Sequence, residues 1–149
     1  MLLARLSLST LCILFALIFI GGYVSSSGVG LSCPDWPLCP AGLVPMRDFI
    51  IEYFHRTVAA TTGLMVFVTM FFTLRSQQTK RPTKIASIIA AALVVGQITL
   101  GGFVIVEKLH AVLVTMHLGM GLILFLMILT ITLDAHELSK GRLQKPVQV

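Results

Sequence analysis

The sequence predicts an all-α integral membrane protein, a bundle of four transmembrane helices. Two observations carry that reading. Hydrophobic residues make up 56% of the 149-residue chain and charged residues 11%, whereas soluble domains hold roughly 45–50% apolar and ~25% charged residues. The apolar residues also fall in long blocks rather than alternating patterns, and one membrane crossing takes ~20 of them. Four crossings use up the length, so any chemistry belongs to the bundle and its short loops.

The first span covers about residues 6–24. Arg5 before it and Ser25, Ser26 and Ser27 after it would also suit a cleaved signal peptide. The apolar run is longer than the ~7–15 residues of a signal core, which favours a retained span. A loop rich in Gly, Pro and Ser follows over 25–48 and contains Cys33-Pro34-Asp35-Trp36-Pro37-Leu38-Cys39-Pro40. Its closely spaced prolines forbid a regular helix or a central strand. The second span covers about 49–74, a short basic loop runs to Lys84, and the third span covers about 85–106. Glu107-Lys108-Leu109 makes a tight connection to the fourth span, about 110–133, and a polar tail over 134–149 closes the chain. No internal repeat is visible.

A net charge of +5 in a soluble protein would suggest nucleic acid. Here the basic residues cluster at span ends, where orientation is the simpler reading, and no nucleic-acid partner is expected. Arg5, Arg75, Lys80, Arg81, Lys84, Lys140, Arg142 and Lys145 fall on one side, and Arg47, Arg56 and Lys108 on the other. That asymmetry puts both termini in the cytoplasm. The Cys loop then faces outward, where conditions are oxidising and Cys33 and Cys39 can form a disulfide. Cys12 is left inside the first span as a small apolar residue.

Ionisable residues inside a span are costly and each calls for a reason. Glu52, His55 and Arg56 sit in the first turns of the second span, and Glu52 and His55, three apart, share a helix face. His110 and His117, seven apart, share a face of the fourth span. The second and fourth spans run in the same direction, and His55 and His117 both lie ~8–11 Å below the outer ends of their helices at 1.5 Å per residue. Two histidines at matched depth on parallel helices can hold one metal from opposite sides. A zinc ion wants about four protein ligands, more than the spans clearly offer. A haem needs one or two axial side chains, because its porphyrin supplies the rest.

Each of these residues also has a plainer reading. A single membrane histidine is commonly a helix-to-helix hydrogen-bond partner; the matched pair, with Glu52 on the same face, favours ligation. His110 lies at the interface, where a solvated histidine is expected, and His136 in the tail is expected to be solvated. Arg56 has three alternatives: snorkelling outward, pairing with a haem propionate, or pairing with Glu52. Gly63, Gly96, Gly101, Gly102, Gly119 and Gly121 admit either close helix packing or a flat macrocycle.

Ser27-Gly-Val-Gly-Leu-Ser-Cys-Pro-Asp-Trp-Pro-Leu-Cys39, Glu52-Tyr-Phe-His-Arg56, Gly96-Gln-Ile-Thr-Leu-Gly-Gly102 and Leu109-His-Ala-Val-Leu-Val-Thr-Met-His-Leu118 together resemble the haem A synthase family, over roughly residues 21–121. The Cys loop and the Glu-x-x-His-Arg stretch are the specific part. The resemblance implies a membrane enzyme of two similar four-helix halves, each with a His pair able to ligate a haem. It implies oxidation of a ring methyl of haem O to the formyl group of haem A, for terminal oxidase biogenesis. Carried over, Glu52 matches the functional glutamate, His55 and His117 the axial ligand pair, and Cys33 and Cys39 the loop cysteines. Arg56 and His110 join them as expected haem contacts.

Only one half is present, most like the N-terminal half of the full-length enzyme. The expected cofactor is haem, as haem B and/or as the substrate haem O. A homo-oligomer would restore two sites, and haem O synthase and terminal oxidase assembly factors are the implied partners. Three rivals share parts of the pattern: a b-type electron carrier, a haem-delivery assembly factor, and a thiol–disulfide oxidoreductase using Cys33 and Cys39.

Overall fold

The computed structural model describes residues 1–32 and 50–143. They form four long helices, α1 (Leu2–Ser26), α2 (Ile50–Arg75), α3 (Arg81–Val106) and α4 (Ala111–Leu143), with a 3-10 turn at Val29–Leu31. Among the described residues there is no strand. All four helices are long and apolar enough to cross a membrane, so the chain is a multi-pass membrane protein. In hydrocarbon every backbone N–H and C=O must bond within the chain, which only a helix or a closed barrel achieves. Even the hydroxyls follow this rule. Thr10, Thr62, Thr73 and Thr132 each donate to the carbonyl four residues back, at 2.7–2.9 Å, satisfying themselves inside the apolar slab.

The helices pack in a ring. α1 touches α2, α2 touches α3, α3 touches α4, and α4 closes the ring against α1. Sequence neighbours are therefore space neighbours, and α2 and α4 lie diagonally across the bundle centre. The C-termini of α1 and α3 meet the N-termini of α2 and α4 at one end, called here the histidine end. The α2–α3 connection, with Lys80, marks the lysine end.

The helices overrun the apolar blocks. α3 begins at Arg81 and α4 continues to Leu143, four residues before and ten residues after the expected spans. Apolar composition locates the hydrocarbon slab, whereas a helix continues wherever its residues favour it. Pro82 lies in the first turn of α3, where its missing N–H costs nothing. Asp134, the first residue of the expected polar tail, is only 8% exposed and belongs to the bundle.

The apolar core is lopsided. Leu14 of α1, Val66 of α2, Ala86, Ala90 and Val94 of α3, and Leu124, Ile128 and Ile131 of α4 form one buried cluster toward the lysine end. Small residues on α3 let its neighbours approach closely. Toward the histidine end, α3 has no buried residue after Val94 and α4 has none before Leu124. The buried apolar cluster thus stops short of the histidine end on α3 and α4.

The histidine end is closed by turns. The α3–α4 connection holds Lys108 and Leu109 at φ 49° and 61°, the left-handed region that L-residues avoid. The Leu109 N–H bonds Val104 O at 2.8 Å and the Glu107 N–H bonds Phe103 O at 2.9 Å, satisfying carbonyls that the end of α3 would otherwise leave open. The Leu109 side chain lies over Gly30 of the 3-10 turn, where an added Cβ would come within 3.3 Å of it.

Candidate functional site

The two histidines sit in the half of the bundle beyond that apolar cluster. His55 is five residues into α2 and His117 six into α4, about 8–9 Å along each helix at 1.5 Å per residue. α2 and α4 lie diagonally in the bundle, so the two histidines stand at matched depth on helices across the bundle from one another.

Each ring rests on a glycine of the preceding helix. A Cβ on Gly21 of α1 would lie 3.1 Å from His55 Cε1, and one on Gly101 of α3 would lie 3.4 Å from His117 Cε1. The two hairpins, α1–α2 and α3–α4, thus repeat one device, a glycine shelf under a histidine. Spacing along the sequence hides this repeat, because the shelf and its histidine belong to different helices.

Neither imidazole makes a hydrogen bond among the described residues, and the Nδ1 of each is buried without a partner. A buried polar group without a partner costs about 1–3 kcal/mol and calls for an explanation. Among the described residues neither histidine makes the hydrogen bond between helices that the plain reading expects. Among the described residues no three His, Cys, Asp or Glu side chains come together as a metal-ion site. What remains is two imidazoles at matched depth, each over a glycine and each with a buried Nδ1 that has no partner among the described residues. This donor set fits a group that needs only two axial nitrogens and brings its own equatorial ligands.

Glu52, one turn nearer the end of the bundle than His55, is 2% exposed. Its Oε1 accepts from Arg56 Nη2 at 2.6 Å, and its Oε2 accepts from Ser32 Oγ at 3.0 Å. Of the three alternatives for Arg56, pairing with Glu52 is the one seen. Ser32 escaped the sequence reading. It stands twenty residues from Glu52, and no local pattern links the 3-10 turn to α2.

His110 immediately precedes α4 and is exposed at the histidine end. His136 is exposed, and Cys12 is a free cysteine exposed on the outside of α1. Cys33, Cys39 and their expected disulfide lie outside the described residues, as does Arg47. Gln97 of α3, not singled out by its residue type, donates from Nε2 to the backbone carbonyl of His117 at 2.8 Å.

Comparison with known proteins bears on this site. The profile of the cytochrome oxidase assembly protein family matches residues 46–148. The chain is 32% identical over 133 residues to the Heme A synthase of Bacillus licheniformis, covering 87% of this chain and 44% of that protein. It is 33% identical over 138 residues to the Heme A synthase of Geobacillus kaustophilus, covering 90% and 43%. It is 27% identical over 150 residues to that of Exiguobacterium sibiricum, covering 96% and 50%. The chain thus spans about half the length of the curated relatives it matches. No solved structure matches it.

Proposed function

Because the chain belongs to the cytochrome oxidase assembly protein family, we propose that it holds a haem between His55 and His117 and takes part in oxidising haem O to haem A. The observation that carries this reading is the pair of imidazoles at matched depth on diagonal helices, neither engaged in a hydrogen bond among the described residues. Heme A synthase is the name of the relatives that cover most of the chain. One His pair in the chain fits one haem site per copy, filled by haem B as cofactor or haem O as substrate.

Turning a ring methyl into a formyl group replaces two hydrogens by one oxygen. With water as the oxygen source, the change releases four electrons and four protons to an external acceptor. Side chains do not carry out such an oxidation; an iron centre supplies that chemistry when bound. The residues of the chain do the rest. His55 and His117 supply axial nitrogens, Gly21 and Gly101 leave room for both rings, and the surrounding apolar helices exclude water. Glu52, held by Arg56 and Ser32, presents a fixed carboxylate one turn from His55. It accepts a proton from water at the reacting carbon or stabilises positive charge developing there.

The same reading includes an outward-facing Cys33–Cys39 disulfide, cytoplasmic termini, a homo-oligomer that supplies the second half, and delivery between haem O synthase and terminal oxidase assembly factors. The test is to supply haem O to cells making the chain, extract the haems and identify them by mass. Wild type is expected to yield formylated haem. His55→Ala and His117→Ala are expected to lose most bound haem. Glu52→Ala is expected to keep haem while conversion falls at least ~100-fold, the scale of a lost general base. Normal haem A formation by Glu52→Ala would remove its role, and a wild type that binds haem without converting it would favour a carrier or delivery protein.

A further inference from the structure

We propose that Gln97 is a positioning residue for His117: its amide fixes the backbone of α4 at the level of the ring and so sets the orientation of the imidazole. The proposal rests on the reading of His117 as a haem ligand. Its geometry is independent of that reading.

The contact is direct, Gln97 Nε2 to His117 O at 2.8 Å. That carbonyl already accepts the helical N–H four residues on, from Gly121, and uses its second lone pair for Gln97. Gly121 lies beside the amide, where a Cβ would sit 3.5 Å from Gln97 Nε2, in ordinary contact. One turn further along the same face of α3, Gly101 lies under the His117 ring. Gln97 and Gly101, at i and i+4, thus hold the backbone and the ring of one residue from a single helix face.

Two further observations separate this from ordinary helix-to-helix bonding. Among the described residues this is the only hydrogen bond between α3 and α4. It also falls in the half of the bundle where neither helix has a buried apolar residue to set its rotation. The ligating histidines of metal sites are usually oriented through their second ring nitrogen. The Nδ1 of His117 has no such partner among the described residues, which leaves the backbone clamp to orient the ring.

The experiment uses the haem-loaded full chain in detergent and three variants. Gln97→Met keeps length and removes the donor. Gln97→Glu keeps shape and turns an acceptor toward the carbonyl. Thr69→Val removes the buried Thr10–Thr69 hydroxyl bond, 3.1 Å, in the opposite half of the bundle. The readouts are the low-spin ferric EPR signal, which follows the relative orientation of the two imidazoles, the haem dissociation rate and the thermal midpoint. Both Gln97 variants are expected to shift and broaden the EPR signal and to release haem several-fold faster, Gln97→Glu more than Gln97→Met. Thr69→Val is expected to lower the midpoint with the EPR signal unchanged. A wild-type EPR signal and release rate in both Gln97 variants would overturn the proposal, as would the same EPR change in Thr69→Val. If the EPR signal of the wild type is already not that of two imidazoles, or survives His117→Ala, it is the ligand assignment that fails, and the clamp with it.

Discussion

At the residue scale, the two glycine shelves are alike in design and unequal in clearance. A methyl group on Gly21 would meet His55 Cε1 at 3.1 Å, closer than side chains tolerate without movement, whereas at Gly101 the 3.4 Å to His117 Cε1 approaches ordinary contact. Overpacking that forces a ring to move costs about 1–3 kcal/mol. Gly21→Ala is therefore expected to displace the His55 ring, weakening haem retention and altering the optical spectrum. Gly101→Ala is expected to stay near wild type in both. Equal spectra for the two variants would show that the shelves do not set ring position. The residues seen from sequence here were those with local periodicity, Glu52 with His55 and His110 with His117. Ser32 with Glu52 and Gln97 with His117 stand twenty residues apart and act through a hydroxyl and an amide. Such groups carry no signal until the fold brings them to a partner.

At the element scale, the lysine end is held by charge where the histidine end is held by turns. Lys80, just before α3, lies 3.4 Å from Asp134 Oδ1 and 3.7 Å from Glu137 Oε2, tying the α2–α3 connection to the far part of α4. Asp134 is buried and its Oδ2 has no partner among the described residues, while Lys80 is 66% exposed in its side chain. Removing the cation leaves a buried acceptor unsatisfied, at a cost of about 1–3 kcal/mol, toward the lower figure here because Lys80 reaches solvent. Lys80→Met is expected to lower the unfolding midpoint in detergent, and Lys80→Met with Asp134→Leu to recover most of the loss. Additive losses would show that the pair does not interact. The four spans were legible because hydrocarbon demands unbroken apolar blocks. The last ten residues of α4 were not, because a helix that leaves the slab is amphipathic or polar and resembles a tail in composition. Nor did composition show that the apolar core occupies one half of the bundle. That follows from which faces meet, and the helices are apolar on nearly every face.

At the scale of the whole molecule, the chain is one four-helix unit where its relatives have about twice the length. A homo-oligomer in native mass spectrometry is the expected state; a monomer with full converting activity would contradict it. A reporter fused after Val149 is expected to be active only in its cytoplasmic form, since eight of eleven basic residues fall on that side. The central claim is narrower than either: His55 and His117 together hold one haem. The most direct measurement is the optical and EPR spectrum of the purified chain, with haem and protein quantified in the same sample, for wild type, His55→Ala and His117→Ala. The account expects one haem per chain with a low-spin two-imidazole signature in wild type, and loss of that signature in each single variant. Retention of the wild-type haem content and spectrum by either variant would contradict it.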